Sequence, residues 1–291
     1  MFTKILIPTD GSDLSLAILW TLRPLVIGTK PEITLLRVIV PEDEQPGQET
    51  VEAAREALTA TQKRLEAWEL STSIRLETEG DPADRILESA EELSVDLVAM
   101  SSHGRSGVTR MVRGSVAERV LRRCSAPVLL CTPNSGGIHE YPLFRRILVP
   151  LDGSELADRI LPDVEKIALA CSSEVTLIRV EGMLREPPSR VFQPKWWSDE
   201  RVEELLAPLN TQRDALASAG VNVGRQVAYG NPADQILRAA KKADLVAMTT
   251  HGRSGTSRWF FGSVAEAVLR EADCPLLVRR VIRVADGTVT D

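Results

Sequence analysis

Several features are missing from this 291-residue sequence, and each absence removes a class of function. The four cysteines (Cys124, Cys131, Cys171, Cys274) form no CxxC pair and do not recur at matching positions. A zinc site or a disulfide framework needs such spacing, so they read as reduced thiols of a cytoplasmic protein. No apolar run reaches the roughly 18 residues of a membrane span. The apolar start, Ile5-Leu6-Ile7 before Pro8, is too short for a signal peptide and reads as a first strand, so no membrane partner is expected. No block of Lys and Arg stands out in a chain of net charge −6, so no nucleic-acid partner is expected either. There is no GxxxxGK[ST], no GxGxxG after the first strand, no SGGxDS and no HIGH-type signature. A P-loop NTPase, a dinucleotide fold and a PP-loop pyrophosphatase are thereby set aside.

What is present is a duplication. ILIPTDG at 5–11 answers ILVPLDG at 147–153, and HGRSG occurs at 103–107 and 251–255. GSVAE occurs at 114–118 and 262–266, DLVAM at 96–100 and 244–248, and DPADRIL at 81–87 answers NPADQIL at 231–237. The order is kept, and the offset drifts only between 142 (5 to 147) and 150 (81 to 231). Residues 132–143, TPNSGGIHEYPL, are turn and linker chemistry. The expected domains are therefore 1–138 and 139–291, and the polar tail after Arg283 is expected to fray.

Within one copy, apolar runs near 3–8, 33–40, 74–78, 95–101 and 127–131 read as strands. Helices are expected at Ser12 to Ile27, ended by Gly28, at 49–69, from Asp81-Pro82, and over 116–123. Strands of the second copy fall near 145–150, 174–180, 222–228, 244–249 and 275–280. Alternating strands and helices predict two tandem open, five-stranded parallel-sheet α/β sandwiches. Ligands of such sheets bind at strand carboxyl ends, where the strand order reverses.

The chemistry gathers at those ends. Gly104, Gly114 and Ser115 in the first copy, and Gly252, Gly262 and Ser263 in the second, bracket a flexible stretch that opens a helix. Bare amides and a hydroxyl at a helix start suit a phosphate, or else form an ordinary loop with a serine cap. Asp10 and Asp152, at the first strand tips, would accept a hydrogen bond from an adenine amino group or cap the next helix. Val38 and Val180 would supply a second wall. His103 and His251 lack a metal-sharing neighbour and read as loop-ordering residues. Arg105, Arg110, Arg253 and Arg258 suit phosphate or solvent equally. Glu118 and Glu266 are expected to face solvent, and Trp196 and Trp197 to pack on their own domain. No nucleophile–base–orienter set recurs, so no catalytic residue is assigned.

These residues resemble the universal stress protein family, whose ATP-binding members carry G-2x-G-9x-G-[S/T] after the fourth strand. Nine residues separate Gly104 from Gly114 and Gly252 from Gly262, with Ser115 and Ser263 following. The family's first glycine falls at Ser101 and Thr249. The resemblance implies an adenine-nucleotide α-hydrolase-like fold in each half. It adds Val116 and Val264, beside those serines, to the nucleotide contacts. It implies ATP, with Mg if the triphosphate is bound, as the ligand of one or both halves. It also implies pairing of 127–131 with 275–280 inside the chain, mimicking a homodimer, or a homodimer of chains. A stress-response regulator acting on an unknown regulatory protein is the leading expectation. A nucleotide-independent interaction module and a slow ATPase or autophosphorylating protein are its rivals.

Overall fold

The computed structural model describes residues 1–39, 51–102, 115–131, 144–182, 199–252, 261–283 and 289–290. In the first half, β1 (Lys4–Pro8), β2 (Glu32–Val38), β3 (Thr72–Glu77), β4 (Leu97–Ser101) and β5 (Val128–Cys131) alternate with α1 (Asp13–Thr29), α2 (Val51–Glu66), α3 (Pro82–Glu92) and α4 (Ser115–Arg123). In the second half, the strands are β6 (Arg146–Pro150), β7 (Glu174–Glu181), β8 (Asn222–Tyr229), β9 (Leu245–Gly252) and β10 (Leu276–Arg283). Its helices are α5 (Glu155–Asp158), α6 (Leu161–Cys171), α7 (Asp199–Leu206), α8 (Asn210–Ser218), α9 (Pro232–Ala240) and α10 (Ser263–Glu271). The tail, expected to fray, pairs in part: β11 (Val289–Thr290) lies antiparallel to β10.

Two helix boundaries differ from expectation. α1 does not stop at Gly28. It runs to Thr29 and closes on Lys30, whose left-handed backbone (φ 46°) returns its N–H to the Val26 carbonyl. Pro31 then prevents continuation. Where the first half has one long helix, the second has two, α5 and α6, broken around Arg159 and Ile160. Pro162 stands in the first turn of α6, where its missing N–H costs nothing; inside one continuous helix from Glu155 it would forfeit a hydrogen bond to the Asp158 carbonyl, a loss that α1 does bear at Pro24.

The strands form one sheet in the order β3-β2-β1-β4-β5-β10-β9-β6-β7-β8. Apart from β11 on β10, pairing is parallel within each half. It is antiparallel between β5 and β10, with Leu129 opposite Leu277. That pairing covers what would be an open sheet edge in each half. Ile5–Pro8 of β1, Leu97–Met100 of β4, Ile147–Pro150 of β6 and Leu245–Met248 in the first half of β9 are apolar runs, as strands buried on both faces must be. One core, on the side of α1 and α6, holds Phe2, Ile18, Leu35, Phe144, Ile147 and Leu177. The other, beneath α3, α4, α9 and α10, holds Leu6, Leu36, Val120, Val246 and Val268. Each core contains residues of both halves. The strand order reverses beside β1 and beside β6, so the carboxyl ends of β1/β4 and β6/β9 are the switch points.

Candidate functional site

The turn after the first strand is built alike in both halves. Asp10 Oδ1 accepts from the Ser12 backbone N–H (3.0 Å) and hydroxyl (2.5 Å). Asp152 Oδ1 accepts from the Ser154 N–H (2.9 Å) and hydroxyl (2.6 Å). Each serine then caps its helix, accepting from the Ser15 N–H (3.2 Å) or the Ala157 N–H (3.1 Å). The residue between, Gly11 (φ 77°) or Gly153 (φ 84°), takes a left-handed backbone that only glycine adopts without strain. The aspartates do not cap the helices themselves, as one of the two uses foreseen had it; in both copies each closes a turn on the serine that does.

The helix starts divide into two kinds. α1, α3, α5 and α9 carry side-chain caps, from Ser12, Asp81, Ser154 and Asn231 respectively. α6, α8 and α10 carry none; α6 and α8 follow directly on other helical residues, whereas α10 begins on Gly262 (φ −59°, ψ 147°). Gly262 and Ser263 are exposed, Val264 is half-buried, and among the described residues a Cβ built on Gly262 meets nothing within 4 Å. The first amides of α10 carry the partial positive charge of a helix start, beside two exposed residues. In the first half, Ser115 opens α4 and is exposed, and Val116 is half-buried. Gly104 and Gly114 lie outside the described residues, as do His103, Arg105, Arg110, Arg253, Arg258, Trp196, Trp197 and the linker 132–143.

The four valines expected to line the site lie against one core. Val38 and Val116, and Val180 and Val264, all pack as half-buried residues on the core beneath α4 and α10. Thr249 is 8% exposed near the end of β9, and the β9 backbone continues to Gly252, opposite Ile282. Ser101 and Thr249 fall, by strand alternation, on the α1/α6 side of the sheet, with Leu97 and Ala99 and with Leu245 and Ala247. Ser101 is tied down there. Its hydroxyl donates to the Leu14 carbonyl at 2.7 Å, fastening the end of β4 to the first turn of α1. A cavity of about 20 Å3 lies on that α1 side, lined by Thr9, Gly11, Leu16, Arg37 and α2 residues. A water needs roughly 10–15 Å3, so this space takes water and not an adenine ring.

One matched pair was overlooked in the sequence. Arg37, 6% exposed, donates from Nη1 to the Thr9 carbonyl at 3.3 Å. Arg179 brings its Nη1 to 2.9 Å from the place a Gly153 Cβ would occupy. Each arginine thus reaches from the second strand of its half to the turn holding the strand-tip aspartate. The repeated pairs LLRV (35–38) and LIRV (177–180) were the available signal.

Charge is arranged differently around the two helix starts. In the first half, Arg119 of α4 bridges Asp81 (2.6 Å) and Asp84 (3.1 Å) of α3, and Arg123 also pairs with Asp84. Burial pushes the Asp81 carboxyl up, but Arg119 and the Ala83 and Asp84 amides outweigh it and hold the group below its ordinary range. The second half places Asn231 and Ala267 at those positions, so this bridge is absent there. Near Asp152, burial raises the Asp158 pKa. A hydrogen bond from Gln212 opposes the rise, and Asp152 and Glu155 add to it. Among the described residues no group of three or more His, Cys, Asp or Glu is placed to hold a metal, and no helix is long and apolar enough to cross a membrane.

The family model described as "Universal stress protein family" matches residues 1–132 and again 143–280. A universal stress protein of Mycobacterium tuberculosis is 30% identical over 239 residues, spanning 79% of this chain and 74% of the relative. One from Mycolicibacterium smegmatis is 26% identical over 293 residues, 95% of this chain and 96% of the relative. The crystal structure of a universal stress protein from Archaeoglobus fulgidus has the same fold. Its TM-score is 0.74 at 24% identity, covering 95% of this chain and 98% of that one.

Proposed function

We propose that this chain, which belongs to the universal stress protein family, binds an adenine nucleotide at the carboxyl ends of its central strands and regulates through the resulting conformation or partner binding. The ligand is ATP, and magnesium enters on the triphosphate oxygens. The observation that carries this reading is the start of α10. It has no side-chain cap, it begins on a glycine whose added Cβ would meet no atom of the described residues within 4 Å, and Gly262 and Ser263 are exposed. Phosphate oxygens are the acceptors such a helix start favours. Val180 and Val264 offer an apolar wall beneath an adenine, with Asp152 at the adjoining strand tip. The corresponding residues of the first half are Asp10, Val38, Ser115 and Val116. The unknown regulatory partner, and a pairing of halves or of whole chains that responds to nucleotide, belong to the same proposal.

Isothermal titration of nucleotide-free chain with MgATP tests the reading. Saturable heat is expected at tens of micromolar protein; a flat titration would remove the nucleotide from the account. A second reading, a nucleotide-independent interaction module, draws on Ser101, which stands where the family motif has its first glycine and spends its hydroxyl on Leu14. Pull-downs with and without ATP separate the two, because identical partners in both conditions favour the module.

A further inference from the structure

We propose that Arg122, a residue of the first half, is a positioning residue for the anion-binding turn of the second half. The inference rests on the nucleotide reading above and extends it. Phe261 immediately precedes Gly262 and is 9% exposed, so its ring fixes the backbone that leads into α10. The guanidinium of Arg122 lies 5.6 Å from the centroid of that ring. Arg122 sits in the last turn of α4 and is held there by an ion pair with Glu118 one turn earlier. The end of α4 is fastened to the second half at another point, where Arg280 Nη1 of β10 donates to the Arg123 carbonyl at 3.5 Å. Phe261 also shares a core cluster with Ala117, Val120 and Leu121 of α4.

The contact runs in one direction. The residue of α10 that matches Arg122 is Arg270, and it pairs with its neighbour Glu271 at 2.6 Å. The residue of the first half that matches Phe261 is Arg113, which offers no ring to a cation. So α4 begins at the first half's helix start, with Ser115, and ends against the base of the second half's turn. A cation over the ring holds Phe261 in one place. That restricts the Gly262 backbone and pre-orders the amides of Ser263 and Val264 before a ligand arrives. The second site is therefore set up by a group that its own half does not contain.

The test uses the whole chain with the first helix start blocked by Gly114→Val, so that MgATP titration reports the second half alone. Arg122→Gln is expected to weaken binding about five- to tenfold, the size that a part-buried cation–π contact sets. Arg122→Lys keeps the cation and is expected to stay within about twofold of the Gly114→Val parent. Phe261→Leu is expected to weaken binding like Arg122→Gln, and the double variant to be no weaker than either single one, because both remove the same contact. Arg270→Gln, the same exchange at the matching position, is expected to change nothing. Equal affinity in Arg122→Gln and its parent would overturn the proposal while leaving the nucleotide reading intact. So would full additivity of the two losses. Absence of ATP binding by the unsubstituted chain would overturn the nucleotide reading itself.

Discussion

Replacing Gly262 by alanine separates the demands of folding from those of a ligand. Gly262 has φ −59° and ψ 147°, a conformation open to any residue, and an added Cβ meets no atom of the described residues within 4 Å. Two small effects on folding oppose each other. Alanine is a poorer start to a helix than glycine, by roughly 0.5–1 kcal/mol. It also has less freedom to lose from the unfolded chain, a gain of about 0.4–1 kcal/mol. The net is close to zero, and the melting temperature is expected to move by less than about 2 °C. A ligand meets a different situation. The new methyl stands beside the first amides of α10, where phosphate oxygens would approach. Losing one charge-assisted hydrogen bond costs about 1.5–3 kcal/mol, which is roughly a 10- to 150-fold loss of affinity. Thermal melts and MgATP titrations on Gly262→Ala and the parent chain give both numbers. A variant that melts normally and binds ATP as tightly as the parent refutes the placement of phosphate at this helix.

Other consequences concern how the two halves differ. Asp163 is fully buried and pairs with Arg279 (2.6 Å) and Lys166 (3.5 Å), while the first half holds Thr21 and Cys131 at the positions matching Asp163 and Arg279. Arg279→Ala should lower unfolding free energy by about 3–5 kcal/mol in denaturant titrations. Asp163→Thr with Arg279→Cys should recover most of that, and a loss below about 1 kcal/mol in the single variant contradicts the pairing. Because the folded-state pKa of Asp81 lies below its ordinary 3.8, its contribution is complete above that pH and is lost as pH falls through the lower folded value. Asp81→Asn, the residue the second half uses, should therefore show a shallower acid limb of stability, and an unchanged limb counts against the Arg119 bridge. Burial pushes Cys124, Cys171 and Cys274 up to about 11. Their native alkylation at neutral pH should be orders of magnitude slower than in urea, and rapid labelling of Cys124 contradicts its burial.

The duplicated scaffold was legible because it rests on pattern. ILIPTDG and ILVPLDG mark the same buried strand twice, and DPAD and NPAD mark the same capped helix twice. The division of α5 from α6 was signalled by Pro162 but hidden by treating the halves as equal. The strand-tip aspartates could not be resolved from sequence, because an adenine contact and an Asx cap put the same residue at the same place. The bare start of α10 could be suspected from Gly262-Ser263, but whether space lies beside the glycine depends on packing. The approach of Arg122 to Phe261 had no sequence signal, since it joins residues of different halves that meet only when β5 pairs with β10.

Whether a phosphate meets the first turn of α10 is read most directly from the backbone amide resonances of Ser263 and Val264 while MgATP is added to nucleotide-free chain. Both are expected to move with a saturable dependence on nucleotide, and further than the amides of the side-chain-capped start of α9. Saturable ATP binding that leaves Ser263 and Val264 unmoved would place the ligand elsewhere and contradict the account.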